Sequence, residues 1–323
     1  MSKMKLGILA VISLFFCLSS LFLGPKLINP LNLNTVDAQI LFSIRLPRVI
    51  VAALMGIALG ASGAILQGIL RNPLADPYIL GISSGAALTA AIGILAGVPF
   101  LYELGVPFSA LVGAFVASLI VGAFGWKRGG IWPERLLLAG VGLGFLFHAA
   151  LMLLVSLSSH EGMRQALLWI FGDLSLADWT LVPYGFLFIS GGFLIALSRA
   201  RALNALVLGD EIAHSLGFSA EKERFFFFVA VAIMTAASVS LGGTVGFIGL
   251  IVPHIVRFFI GSDNRYLVPV SALFGGAFLC ISDLIGRTIM APTEIPSGII
   301  TALFGAPYFL YLLRRRDVLR TSQ

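Results

Sequence analysis

The chain is 323 residues long, with 59% in the apolar set, 11% charged and a formal net charge of +6. Soluble domains carry roughly 25% charged residues, and a mean hydropathy of +1.01 leaves too little polar surface for a water-soluble enzyme. Disordered chains are poor in apolar residues, so disorder is excluded as well. Cys17 and Cys280 sit singly in apolar runs and make neither a metal pattern nor a disulfide framework. The apolar runs are about 17–24 residues long, which suits helices crossing a ~30 Å hydrocarbon layer. They lack the period of two and the ~10-residue length of outer-membrane barrel strands. The expected fold class is an all-α polytopic membrane protein.

Ten spans are predicted, at residues 6–24, 49–70, 78–98, 105–126, 136–157, 181–198, 225–241, 245–261, 267–290 and 297–313. The first follows Lys3 and Lys5 as a signal peptide would, but no A-x-A-like site succeeds it, and it is expected to be retained. The eighth is short and carries Pro253, His254 and Arg257. With both termini cytoplasmic, 16 of the 21 Lys and Arg residues fall on the inner side, as the positive-inside rule asks. The outer side keeps Lys26, Arg45, Arg48, Arg164 and Arg287. Short loops leave a single transmembrane domain over 1–323, with no room for a soluble one. The outer loop 158–179 is amphipathic and predicts a short surface helix. The inner loop 199–224 predicts a short helix broken by Gly217, with Ile212 and Leu216 offering an apolar face to something in the cytoplasm.

Small-xxx-small pairs (Gly56/Gly60, Gly81/Gly85, Gly140/Gly144) predict close helix packing. No catalytic set is visible and no Gly-Lys dipeptide exists, so a phosphate-binding P-loop is absent and any ATP-driven function must use a motor on another chain. No cofactor or metal set is expected; His148, mid-span, reads first as a packing residue. Asp283 and Arg287 lie four apart in the ninth span and predict an ion pair on one helix face. Arg45-Leu-Pro-Arg48 opens the second span on the side that should be poor in basic residues, which points to an acidic partner or a lipid headgroup. The segment 71–77, with Pro73 and Pro77, predicts a rigid turn.

Six stretches resemble the iron-chelate and cobalamin permease family of ABC importers, the FecCD type. They are RLPR (45–48), GASGAILQGILRNPLADPYILGISSGA (60–86), RLLLAGVGLG (135–144), LGDEIAHSLG (208–217), GFIGLIVPHIVR (246–257) and EIPSGIITALFGAPYFLYLL (294–313). The resemblance implies a permease in the bacterial or archaeal cytoplasmic membrane that is not itself an enzyme. Its expected partners are a second permease copy, two ABC ATPase subunits and an extracytoplasmic binding protein; an iron chelate (ferric siderophore or haem) is the expected substrate, with cobalamin as the alternative. By position, Arg45, Arg48 and Arg287 would grip acidic residues of the binding protein. Leu208, Gly209, Asp210, Glu211, Ile212, Leu216 and Gly217 would form the ATPase coupling segment. Asn72, Leu74 and Pro133 would belong to the inner gate, although Trp132-Pro133-Glu134 replaces the small hydroxylated residues of some relatives. His148, Ser156, Ser297 and Thr301 would line the pathway. The competing readings are an ion-coupled secondary transporter, for which Asp283 is the only acidic residue well inside a span, and an intramembrane enzyme, which lacks a site.

Overall fold

The computed structural model describes residues 3–95, 105–127 and 130–314. Arg128, Arg315, Arg316 and Arg320, counted on the inner side above, lie outside the described residues. In chain order come α1 (Lys3–Phe22), α2 (Thr35–Gln39), a π-helical turn (Ile40–Arg45) and α3 (Leu46–Ile69). A 3-10 turn (Pro77–Leu80) then leads into α4 (Ile82–Leu95), followed by α5 (Gly105–Gly125). A two-stranded hairpin, β1 (Trp126–Lys127) and β2 (Gly130–Ile131), precedes α6 (Pro133–Ser156) and α7 (His160–Ile170). The rest comprises α8 (Leu181–Ser198), α9 (Ala200–Leu208), α10 (Asp210–Ser215), α11 (Ala220–Gly242), α12 (Ile248–Ile260), α13 (Asn264–Thr288) and α14 (Ser297–Arg314).

Among the described residues, 6 helical segments are long and apolar enough to cross a membrane, and shorter apolar helices lie at Gly7–Phe22, Ile82–Leu95, Ile248–Ile260 and Ser297–Tyr311. Each predicted stretch therefore holds an apolar helix. The stretch ending in α3 is the hub, with 78% of its apolar window buried, and α8, α11, α12 and α13 all pack on it. The window in α6 is only 17% buried; Leu138, Phe145, Leu146 and Leu153 stand exposed along it.

The predicted glycine pairs explain how α3 gets so close to its neighbours. A Cβ on Gly56 would collide with the Gly275 carbonyl of α13, and one on Gly60 with the Ser271 carbonyl. Gly63 meets the Gly249 carbonyl of α12 in the same way. Lipid tails are as apolar as side chains, so helix association here depends on dispersion between backbones that small residues let approach.

Two segments differ from expectation. The inner loop forms two helices, because the break falls at Gly209 (φ 127°) as well as at Gly217 (φ 85°); only glycine adopts such angles without strain. The turn between α5 and α6 closes as a hairpin, with Trp126 paired to Ile131. The predicted outer-loop helix is α7, capped by the Ser159 hydroxyl, which accepts a hydrogen bond from the Gly162 N–H at 3.3 Å.

Candidate functional site

Charged side chains gather at two ends of the helical bundle. At the predicted outer end Arg45, Arg48 and Arg287, expected to grip acidic residues of a binding protein, are all buried within this chain. The reason lies in the carbonyls at the C-terminal end of α1, which have no partners within that helix. Arg45 donates from Nη1 to the Leu21 and Phe22 carbonyls at 3.0 and 3.1 Å and from Nη2 to the Lys26 carbonyl at 2.5 Å. Arg287 donates to the Ser20 carbonyl. Two cations thus cap the negative end of a helix dipole.

Arg48 has a different task. Its Nε donates to both Asp283 oxygens at 3.0 and 3.1 Å and its Nη2 to Oδ1 at 2.8 Å, joining α3 to α13 by a forked pair. The same Nη2 meets Glu294 at 2.8 Å, and Glu294 is the exposed member of the group. Arg287 Nε stays 3.7 Å from Asp283 Oδ2 and has no hydrogen-bond partner. The predicted i,i+4 pair exists, but as the looser of two; the main partner of Asp283 comes from 235 residues away.

At the predicted inner end the predicted coupling segment meets the predicted gate loop after α3. Arg71, just past α3, sits at φ 47°, a left-handed angle that is strained for a bulky residue. Its Nε donates to the Leu206 carbonyl at 2.9 Å and its Nη2 to Asp210. Asp210 accepts again from Arg224, Nη1 to Oδ2 at 2.8 Å and Nη2 to Oδ1 at 2.5 Å. Partial burial pushes the Asp210 carboxyl up, but Arg224 and Arg71 outweigh that and hold it below its usual range. It is therefore charged at neutral pH, and the pairing is lost only as pH falls through this lowered value. At the other side of the loop, Asn204 of α9 donates to Asp263 at 2.7 Å and accepts from the Asn264 N–H at 2.8 Å, tying α9 to the start of α13.

The gate-loop residues hold their own turn. Asn72 Oδ1 accepts from the Leu74 N–H at 2.9 Å, and Asp76 accepts from the Tyr78 N–H at 2.9 Å to open the 3-10 turn. A cavity of about 360 Å³ at this end is lined by Arg71, Trp132, Pro133, Glu134, Asp210 and Arg224, among others. Pro133 of one predicted gate segment, Arg71 beside the other and Asp210 of the predicted coupling segment therefore border one space. Leu208, Ile212 and Leu216 are exposed, as is Glu211.

The pathway residues divide. His148 and Ser156 lie on the exposed side of α6. Ser297 and Thr301, also expected to line the pathway, are buried: Ser297 Oγ donates to the Gly172 carbonyl and Thr301 Oγ1 to the Gly298 carbonyl, both at 2.9 Å. Sequence reasoning did not single out Arg224 or Glu294, and it treated Arg71 only as loop. All three are ordinary charges at span ends, and only their distant partners mark them.

The FecCD transport family model matches residues 9–315. The hemin transport system permease protein HmuU of Yersinia pestis is 40% identical, over 99% of this chain and 98% of its own length. The cobalamin import system permease protein BtuC of Halobacterium salinarum is 44% identical over 85% of this chain and 73% of its own. The iron(3+)-hydroxamate import system permease protein FhuG of Bacillus subtilis is 36% identical over 97% of both. Among solved structures, a metal-chelate type ABC transporter in an inward-facing conformation aligns with a TM-score of 0.86 at 31% identity, covering 97% of this chain and 100% of that one. The chain belongs to the FecCD transport family and is an ABC-importer permease of the cytoplasmic membrane.

Proposed function

We propose that this chain is the translocation subunit of a binding-protein-dependent importer for an iron chelate, a ferric siderophore or haem, with cobalamin as the alternative cargo. The observation that carries the reading is the full-length likeness to HmuU, and the iron-permease names of other relatives favour iron. Ten spans with both termini in the cytoplasm agree with the ten apolar helices and with the distribution of Lys and Arg. A second copy covers the exposed face of α6 and encloses a pathway that His148 and Ser156 reach. An ion-coupled mechanism is disfavoured, because Asp283 is already engaged by Arg48.

The apolar residues of the segment 208–217, Leu208, Ile212 and Leu216, dock on a separate ATPase. Leu208, Ile212 and Leu216 form an exposed apolar patch beside charged groups, a surface that calls for a partner. Ile212→Asp or Leu216→Asp is expected to abolish co-purification of the ATPase while the chain still inserts. Gly209→Val acts differently: a Cβ there meets no atom within 4 Å, so its cost of about 1–3 kcal/mol is backbone strain that tilts α10. Unimpaired co-purification of the Ile212→Asp variant would remove the segment from the mechanism.

The outer end docks the binding protein through Arg48, reached by displacing Glu294, while Arg45 and Arg287 brace the platform from within. Glu294→Gln is expected to strengthen association with the binding protein by freeing Arg48, measured by binding kinetics in detergent. Weaker or unchanged association would show that Glu294 does not compete for that site.

A further inference from the structure

We propose that the chain of ion pairs Arg71–Asp210–Arg224 is the mechanical link that carries movement of α10 into the inner-gate loop, making Asp210 a positioning residue for the gate and not part of the ATPase docking surface. The inference rests on the reading of 208–217 as the coupling segment. Asp210 opens α10, yet its carboxylate binds Arg71 and Arg224 of the same chain. Leu208, Ile212 and Leu216 offer exposed apolar surface, whereas Asp210, though half-exposed, is engaged by two arginines. One carboxylate therefore spans three elements: the end of α3, the start of α10 and the foot of α11.

The geometry gives the link a direction of action. Arg224 is buried and fixed on a long helix, so it anchors Asp210. Arg71 is exposed and strained; its backbone N–H donates to the Gly68 carbonyl, and its side chain makes two bonds, to the Leu206 carbonyl of α9 and to Asp210 of α10. Strained backbone persists only where its surroundings enforce it. Withdrawing α10 removes the Asp210 bond and with it part of that enforcement, which frees Arg71 to shift, and Asn72 and Leu74 follow directly in the chain. Pro133 borders the same cavity, so a shift of Asp210 reaches the second gate segment too. Sequence alone conceals the link, since Arg71 and Asp210 are 139 positions apart.

The test uses the assembled permease with its ATPase in proteoliposomes. A Leu74→Cys reporter is labelled by a membrane-impermeant maleimide, with and without ATP and vanadate. The nucleotide-dependent change in labelling rate is expected to shrink about fivefold or more on Asp210→Asn, the lower end of typical coupling strengths, with ATPase binding and hydrolysis retained. Asp210→Glu should keep the change, and Arg71→Gln combined with Asp210→Asn should be no worse than either alone. A full nucleotide response in Asp210→Asn would overturn the link, and so would loss of ATPase binding, which would make Asp210 a docking residue. Ile212→Asp separates the two levels: if it still binds the ATPase, the coupling reading itself fails, whatever Asp210→Asn shows.

Discussion

Gly56→Leu is expected to prevent the chain from reaching its folded form. The added side chain would have to displace the Gly275 carbonyl and the Gly276 Cα, which are backbone atoms of α13 and cannot rotate away. Overpacking a core commonly costs about 1–3 kcal/mol even where side chains can move, and here the two most extensively packed helices must separate. Gly191→Leu in α8 is the matched control, because a Cβ there meets nothing within 4 Å. Monodisperse yield in size-exclusion chromatography and the thermal midpoint in detergent should collapse for Gly56→Leu and hold for Gly191→Leu. Equal behaviour of the two would contradict the packing of α3 on α13.

The second large effect concerns the buried charges. Breaking a buried pair by removing one partner costs about 3–5 kcal/mol, because the other charge is left uncompensated. The arrangement also orders the variants. Asp283→Asn leaves Arg287 with no carboxylate and Arg48 with only the exposed Glu294, whereas Arg48→Met leaves Asp283 with Arg287 at 3.7 Å. Asp283→Asn should therefore be the more damaging, and the Arg48→Met/Asp283→Asn double variant should recover part of its loss. Stability in detergent over the four-member cycle measures this, since independent sites add and contacting sites do not. Strict additivity would show that Arg48 and Asp283 are not partners.

How much of this was legible before the structure differs between helices and charges. Run length and apolarity located every long helix, because a helix satisfies its own backbone wherever lipid cannot. The pairs Gly56/Gly60 and Gly81/Gly85 announced close packing, although not the partner: Gly56 faces Gly275, and Gly85 faces Gly113 and Ala117. The bonds of Arg45 and Arg287 to the end of α1 were not foreseen because their acceptors are main-chain carbonyls, which every residue possesses and no pattern reveals. Arg48 and Asp283 were not joined for a related reason. Helical spacing exposes neighbours at i+4, such as Arg287, and is silent about residues on another helix. The break at Gly209 was missed because Gly217 offered an equal signal within one short loop, and glycine in a sequence does not state its φ.

Cys17 and Cys280 show the same limit. They share no motif, yet as free thiols they face each other where α1 packs on α13. The outer and inner charge clusters are thus both products of tertiary packing among helices that the composition had already located.

The most direct measurement is uptake into proteoliposomes holding the permease, its ATPase and its binding protein, with radiolabelled haem, ferric hydroxamate and cobalamin offered separately. The account predicts accumulation of one iron chelate that requires ATP and all three components and that ceases with Ile212→Asp. Accumulation driven by an ion gradient in the absence of the ATPase, or none of the three compounds accumulating in a complex that hydrolyses ATP, would contradict it.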